Sequence, residues 1–164
     1  MTWADAKRIA PWLLVAALVA LADQASKSVI SANLRLGEVR EITGFFNLVL
    51  AHNRGAAFSF LSDAGGWQRA LFIWIAVVAT ALIVVMLARH SSERLFSAGL
   101  ALILGGALGN LWDRIAFGYV VDFLDFHAFG WHFWAFNLAD SAITVGAGLL
   151  ILDALRQAGA QQKP

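Results

Sequence analysis

Four stretches of the chain are apolar enough, and long enough, to cross a lipid bilayer. They lie at about residues 9–31, 70–88, 95–112 and 133–155. The second is the clearest, because Thr80 is its only polar residue. A helix of roughly 20 apolar residues spans about 30 Å of hydrocarbon. The pattern therefore predicts four transmembrane helices.

The segments between these helices are two long loops and one tight charged turn. The first loop, about residues 32–69, contains short alternating runs such as Val39–Ile42, interrupted by glycines. Runs of this kind are typical of short β-strands. The second loop, about residues 113–132, is polar and aromatic. We expect a single membrane domain over residues 1–164, an all-α four-helix bundle with a small β-rich cap outside the membrane between helices 1 and 2.

Composition agrees with the membrane class and excludes several others. The chain is 60% hydrophobic and 14% charged, whereas soluble domains average about 45–50% and about 25%. A net charge of +1 without a clustered basic face argues against a nucleic-acid partner. Because the chain has no cysteine, it has neither a disulfide framework nor a thiol nucleophile.

The basic residues divide evenly between the two sides of the predicted bundle. One side holds Lys7, Arg8, Arg89, Arg94, Arg156 and Lys163, and the other holds Lys27, Arg35, Arg40, Arg54, Arg69 and Arg114. The first set is packed into three short segments, whereas the second is spread over two longer loops. Basic residues concentrated in short loops favour the cytoplasmic side. We therefore expect both termini in the cytoplasm and both long loops outside.

Two acids lie in apolar surroundings where a lone carboxylate is costly. Asp140 is near the start of the fourth apolar stretch, and Asp122 lies between Val121 and Phe123. An ionisable residue in a spanning helix is a functional candidate by default. Asp122 alone could equally be a carboxylate solvated in an interfacial loop. Asn137, Asp140, Ser141 and Thr144 fall on one predicted stripe at spacings of three and four.

Two more pairs of polar residues share a helix face, because each pair is four residues apart. Asp23 and Lys27 lie near the outer end of the first helix, and Asn110 and Arg114 near the outer end of the third. The structural alternatives are a self-neutralising ion pair for the first, and an interhelical amide with an interfacial arginine for the second. Both alternatives stay open at this point.

Other residues are interpreted as structural. Gly105 and Gly109 form a G-x-x-x-G pattern, which allows two membrane helices to approach closely. Asp113 and Asp125 are interpreted as local partners of Arg114 and of water. The histidines lack the compact spacing of a zinc site and no HExxH motif occurs, so no metal is expected.

Five short motifs follow one another along the chain. They are Asp23-Gln-Ala-Ser-Lys27, Asn53-Arg-Gly-Ala-Ala-Phe58, Gly109-Asn-Leu-Trp-Asp-Arg114, Val120-Val-Asp-Phe123 and Phe136-Asn-Leu-Ala-Asp140. In this order they resemble the five sequence boxes of the lipoprotein signal peptidase (signal peptidase II) family. The resemblance covers all four predicted helices and both outer loops.

The resemblance implies an intramembrane aspartic endopeptidase of the bacterial inner membrane, with its active site at the outer face. Such an enzyme removes the signal peptide from diacylglyceryl-modified prolipoproteins, cutting just before the lipidated cysteine. By matching motif positions, the catalytic dyad falls on Asp122 and Asp140. The supporting and substrate-binding positions fall on Asp23, Lys27, Asn53, Gly55, Asn110, Arg114, Asn137 and Ala139. The resemblance further implies a globomycin-type inhibitor, contact with membrane lipid and no cofactor, and we expect a monomer.

Elementary chemistry is compatible with such a dyad. Two carboxyls held close in a low-dielectric site share one proton near neutral pH, and the pair can then activate a water. The alternatives are a small proton-coupled transporter subunit, with Asp23, Asp140 and Arg114 as coupling charges, and a non-catalytic assembly factor. Against the transporter, the acids cluster at one membrane face and the sequence has no visible inverted repeat.

Overall fold

The computed structural model describes residues 3–55 and 66–161. In this part of the chain four long helices occur: α1 (Trp3–Asn33), α2 (Trp67–His90), α3 (Arg94–Ala116) and α4 (Leu138–Gln161). Each contains a stretch long and apolar enough to cross a membrane. The predicted four-helix membrane bundle is confirmed.

Helix α3 is the centre of the bundle and touches the other three helices. Its glycines make this possible, because a Cβ atom at Gly105 would meet the backbone of Ala16 on α1. Gly109, one turn later on α3, lies against the side chain of Asp23, which is also on α1. Gly106 faces the other way, against the backbone of Ala139 on α4. The close approach predicted from the G-x-x-x-G pattern is confirmed, and a third glycine extends it to α4.

The apolar side chains of the bundle divide between a small core and a large outer surface. The core lies where α1 begins and α2 ends, and consists of Ile9, Ala16, Ile83, Leu87, Leu100 and Leu104. On α2, by contrast, Trp74 and Leu82 are 68% and 59% exposed. An apolar surface of this extent is expected where the surrounding solvent is lipid.

A four-stranded antiparallel sheet covers one end of the bundle. Its strands, in spatial order, are β1 (Val39–Thr43), β2 (Phe46–Asn53), β3 (Val120–Ala128) and β4 (Trp131–His132). The β-rich cap between α1 and α2 is confirmed, but β3 and β4 come from the second loop, where we predicted no strand. Residues 120–123 are all buried, so β3 lacks the alternation by which a half-buried strand is recognised.

The sheet is attached to the C-terminal end of α1 by a second apolar cluster. Ile30 of α1 and Leu34, the residue after its end, pack with Leu50 of β2 and with Val121 and Phe123 of β3. The two sequence neighbours of Asp122 on β3 are therefore both anchored in this cluster. This packing fixes the position of Asp122 relative to the bundle.

Helix α4 begins at Leu138, five residues after the predicted start of the fourth span. The preceding residues are extended and pair with β3: the Phe133 N–H donates to the Phe126 carbonyl, and Phe136 bridges Leu124. The apolar character of this segment reflects contact with the sheet, which hydropathy alone does not distinguish from a helix.

Candidate active site

Asp122 lies on β3 with its carboxylate held by two amides. Asn137 Nδ2 donates to one oxygen at 2.7 Å, and Asn53 Nδ2 donates to the other at 3.0 Å. Asn53 Oδ1 accepts the Gly55 N–H at 2.9 Å, which turns its Nδ2 group toward Asp122. The carboxylate is nearly inaccessible, since Asp122 is 3% exposed.

Asp140 lies in the first turn of α4 and is half-buried. Asn110 Nδ2 of α3 donates to its carboxylate at 2.8 Å. Its own backbone N–H donates to Asn137 Oδ1 at 2.9 Å, so Asn137 is the N-cap of the helix. We expected Asn137 on a helical stripe with Asp140, and it instead lies just before the helix. The partial positive charge of a helix N-terminus favours a carboxylate here.

Asn137 connects the two acids directly. Its Nδ2 group donates to the Asp122 carboxylate while its Oδ1 accepts the Asp140 backbone N–H. The side chain is fully buried, and a flipped amide would place like groups against both partners. One amide therefore holds the beginning of β3 and the start of α4 in a defined relation.

The surroundings of Asp122 change its acidity. Burial, and then the negative charge of Asp140, raise the pKa of Asp122 to about 7, although the amides of Asn53 and Asn137 act in the opposite direction. Within residues 3–55 and 66–161, neither Asp122 nor Asp140 is in a salt bridge. A carboxyl in this situation changes its protonation near neutral pH.

A cleft of about 530 Å³ is lined by Asp140, whereas Asp122 is not among its lining residues. Its polar wall includes Asp140, Asn110, Arg114 and Asn53, the last of which bonds Asp122. Its apolar wall includes Val120, Phe133, Trp134, Phe136, Ile143 and Val145. A few polar groups set in an apolar cleft are typical of a ligand or substrate site.

Arg114 places a positive charge at the cleft. Its guanidinium donates to the Gly55 carbonyl at 3.0 Å and to the Asn110 carbonyl at 3.3 Å. It also lies over the Phe72 ring, 5.1 Å from the centroid. The sequence predicted that Asn110 and Arg114 share one helix face, and both line the cleft. The rest of the second motif, residues 56–58, lies outside the described residues.

Asp23, Lys27 and Ala139 do not line the cleft, although we expected all three at the site. They are between 0% and 3% exposed and lie behind it. Asp23 and Lys27 form the ion pair weighed from their spacing, at 2.8 Å. Ala139 donates its N–H to Asp23 Oδ1 at 2.9 Å. These residues lie behind the cleft because the glycine contact between α1 and α3 encloses the charged face of α1.

The interpretation of Asp113 was wrong. It accepts from Lys27 at 2.8 Å, from Gln24 at 2.8 Å and from the Val121 N–H at 3.1 Å, and it is fully buried away from water. Asp113 points inward because Lys27 supplies the positive charge that a buried carboxylate requires. Asp113 and Gln24 both belong to the motifs quoted above, so motif membership was the signal that could have found them.

Asp125 also differs from its interpretation. Its carboxylate accepts from Asn47 Nδ2 at 2.8 Å and lies 3.0 Å from His132 Nδ1. The cross-strand register brings Asn47 opposite Asp125, which sequence spacing alone does not show. Within the described residues, no three His, Cys, Asp or Glu side chains are grouped as metal ligands.

Comparison with known proteins gives one consistent result. The profile of the family described as Signal peptidase (SPase) II matches residues 15–156. The lipoprotein signal peptidase of Paraburkholderia phytofirmans is 58% identical over 149 residues, covering 91% of this chain and 87% of that protein. The lipoprotein signal peptidase of Burkholderia vietnamiensis is 59% identical, covering 91% and 90%.

Solved structures agree with the sequence relatives. A bacterial membrane enzyme solved at 2.3 Å by the in meso method superposes with a TM-score of 0.83 at 32% identity, covering 94% of this chain and 93% of that one. A second such structure, at 1.9 Å, gives a TM-score of 0.78 at 32% identity, covering 90% and 94%. The helix bundle and its sheet are thus those of a known membrane enzyme fold.

Proposed function

The chain belongs to the signal peptidase II family, and from this premise we propose that it removes the signal peptide of diacylglyceryl-modified prolipoproteins. We propose further that it cuts just before the lipidated cysteine, using Asp122 and Asp140 as an aspartate dyad. Family membership makes the chain a peptidase, and with its four apolar helices a multi-pass inner-membrane protein. The dyad and the cleavage position are our proposal.

The observation that carries the dyad is the bridge made by Asn137. A single buried amide bonds the Asp122 carboxylate and the Asp140 backbone, beside a cleft that Asp140 lines. Ion pairing would hold both acids ionised, whereas amide donors allow one of the two to keep a proton. The two carboxyls therefore have the surroundings that an acid and base pair needs.

The proposed reaction follows from one shared proton. The ionised carboxyl accepts a proton from a water as the water oxygen attacks the scissile carbonyl carbon. The protonated carboxyl at the same time donates its proton to the carbonyl oxygen. When the tetrahedral intermediate collapses, the C–N bond breaks, the carboxyl proton passes to the leaving amine, and the other carboxylate takes a proton from a hydroxyl of the intermediate, which restores the shared proton. The titration belongs to the pair, so we assign neither role to a single residue.

The cleft walls suit a substrate that enters from the membrane. Arg114 and the Asn110 amide can bind backbone carbonyl groups of an extended peptide, while Phe133, Trp134 and Val145 offer an apolar wall to its side chains. A lipid-anchored substrate loses less translational freedom on binding than a soluble peptide does. This accounts for a preference for the lipidated form.

The proposal includes the arrangement of the protein in the cell. Both termini lie in the cytoplasm and the cleft opens at the outer face of the inner membrane, in contact with lipid. The enzyme acts as a monomer and needs no cofactor. A globomycin-type cyclic peptide would inhibit it by occupying the cleft beside Asp140.

A cleavage assay tests the dyad. Purified protein in detergent is given a prolipoprotein with and without its diacylglyceryl group, and the products are followed by gel shift. We expect cleavage of the lipidated form only, no effect of a metal chelator, and loss of cleavage in Asp122→Asn and in Asp140→Asn. Mass spectrometry of the product should show the lipidated cysteine as its first residue.

The matched control is Asp153→Asn, on the same helix as Asp140. Asp153 accepts from Gln157 on its own helix at 2.7 Å and does not line the cleft, so this variant should cleave like the parent. Full activity in Asp122→Asn or Asp140→Asn would refute the dyad. A product that begins at any other residue would refute the proposed cleavage position.

A further inference from the structure

A buried ion triad lies behind the cleft, formed by Asp23, Lys27 and Asp113. Lys27 Nζ lies 2.8 Å from Asp23 Oδ2 and 2.8 Å from Asp113 Oδ2. It also donates to Asn110 Oδ1 at 2.9 Å. All three ammonium protons therefore have an acceptor, and the three charged residues are between 0% and 3% exposed.

Each acid of the Lys27 triad also holds the backbone next to one member of the proposed dyad. Asp23 Oδ1 accepts the N–H of Ala139, the residue immediately before Asp140, at 2.9 Å. Asp113 Oδ2 accepts the N–H of Val121, the residue immediately before Asp122, at 3.1 Å. Lys27 joins these two acids, so it links the backbone of β3 to the backbone of α4.

The third partner of Lys27 acts on the side chain of Asp140. Because an ammonium group can only donate, it requires the oxygen of the Asn110 amide on its own side. The Nδ2 group of Asn110 is thereby turned to the Asp140 carboxylate, which it meets at 2.8 Å. Lys27 thus reaches Asp140 by two routes, through Asn110 and through Asp23.

Stability alone is a weak reason for such a triad. Apolar replacements of a buried ion network are often as stable, because burying the charges costs about as much as their attraction returns. Defined positions of the neighbouring groups are the property that a neutral replacement does not provide. We propose that the Lys27 triad sets the separation and orientation of Asp122 and Asp140. This inference rests on the proposed function, and it makes Asp23, Lys27 and Asp113 positioning residues that do not touch substrate.

The test compares Lys27→Met with Arg40→Met. Both substitutions remove one basic group of an ion pair, but Arg40 is half-exposed on the sheet, where it pairs with Glu38 and donates to the Asn33 carbonyl, away from the cleft. Displacement of a catalytic group by about 1 Å can cost about 100-fold in rate. For Lys27→Met we expect kcat per folded enzyme to fall by about that factor with KM unchanged. The two apparent pKa values in the pH profile of kcat/KM should also move relative to each other. Arg40→Met should match the parent in kcat, in KM and in the pH profile.

Loss of Lys27 alone leaves two buried acids without a cation and can prevent folding. A triple variant, Asp23→Asn, Lys27→Met and Asp113→Asn, removes all three charges while keeping an acceptor oxygen for Ala139 and for Val121. We expect this variant to fold and to show the same fall in kcat. If no variant lacking Lys27 folds, the single variant Asp23→Asn takes its place, and its kcat, KM and pH profile test the positioning role.

The outcomes separate this inference from the proposed function. A parent that fails to cleave lipidated substrate, or an active Asp140→Asn variant, would refute the proposed function. An active parent with inactive dyad variants, together with parent-like kcat and pH profile in a folded triad variant, would refute only the positioning role. In that case the triad would serve stability alone.

Discussion

Three carboxylates around the site have different surroundings. Asp23 and Asp113 face Lys27, so their negative charges are neutralised inside the bundle. Asp122 is bonded by amides and lies near the charge of Asp140. A buried acid without a cation favours its protonated form. The contrast separates the ion-paired Asp23 and Asp113 from the two acids that we propose as the dyad.

At this scale we predict a pH-dependent stability that Asp122 causes. Its pKa is raised from 3.8 to about 7 in the folded protein, so between these values the folded state binds a proton that the unfolded state lacks. The contribution of Asp122 to the free energy of unfolding is fully present below the unfolded-state pKa of 3.8 and is lost as pH rises through about 7. For one group this contribution amounts to at most about 4 kcal/mol. Asp122→Asn should remove this loss.

Thermal unfolding in detergent at about pH 5 and about pH 8 measures this difference. From about pH 5 to about pH 8 the parent should lose more stability than Asp122→Asn does. The new amide can also change stability by an amount that is the same at both pH values, and this does not affect the comparison. Asp153→Asn should follow the parent. Equal pH dependence in the parent and Asp122→Asn would contradict the raised pKa.

At the scale of elements, helix α3 organises the site through small residues on two faces. Gly105 and Gly109 bring α1 close enough for Lys27 to meet Asn110. Gly106 brings in the first turn of α4, which carries Asp140. Close approach by small residues is a common way to pack membrane helices. Here it also brings side chains from three helices together.

We predict that Gly106→Ala is destabilising, because its Cβ would collide with the Ala139 carbonyl and with Ile143. Such overpacking typically costs about 1–3 kcal/mol, and displacement of α4 should lower kcat as well. The matched control is Gly148→Ala on α4, where no atom lies within 4 Å of the new Cβ. Thermal unfolding and cleavage assays of both variants test this. Parent-like stability and kcat in Gly106→Ala would show that the contact relaxes without consequence.

At the scale of the whole molecule, the structure supports the proposed orientation. The sequence assigns six basic residues to each side, but Lys27 is buried and paired, and Arg114 is half-buried at the cleft. Fewer basic residues are therefore exposed on the side proposed to face outward than the count suggests. The basic residues of the opposite side lie in short segments, the arrangement typical of cytoplasmic loops.

Because the chain has no cysteine, single cysteines report this orientation directly. We expect Thr43→Cys, exposed on the sheet, to react with a membrane-impermeant maleimide in intact spheroplasts. Ser92→Cys, exposed between α2 and α3, should react only after the membrane is opened. A permeant maleimide that labels both is the control for accessibility. The reverse pattern would place the cleft on the cytoplasmic side.

The sequence by itself determined the elements whose signal is local. Helix-length apolar runs specify four membrane helices because lipid leaves the backbone few other choices. The five motifs, in order, identified the family and included Asp122, Asp140 and Asn137. Alternating runs also revealed the strands of the first loop.

Only the tertiary structure decided which distant groups meet. Strand β3 escaped prediction because the bundle and the sheet bury both its faces. Asp113 was assigned to Arg114, its neighbour in sequence, yet it pairs with Lys27, 86 residues earlier (113 − 27) on another helix. Such partners depend on glycine contacts that bring α1, α3 and α4 together, and the G-x-x-x-G pattern does not say which helices and side chains will meet. The sequence thus specifies which residues carry charge inside the membrane, and packing decides which carboxyls meet Lys27 and which meet amides.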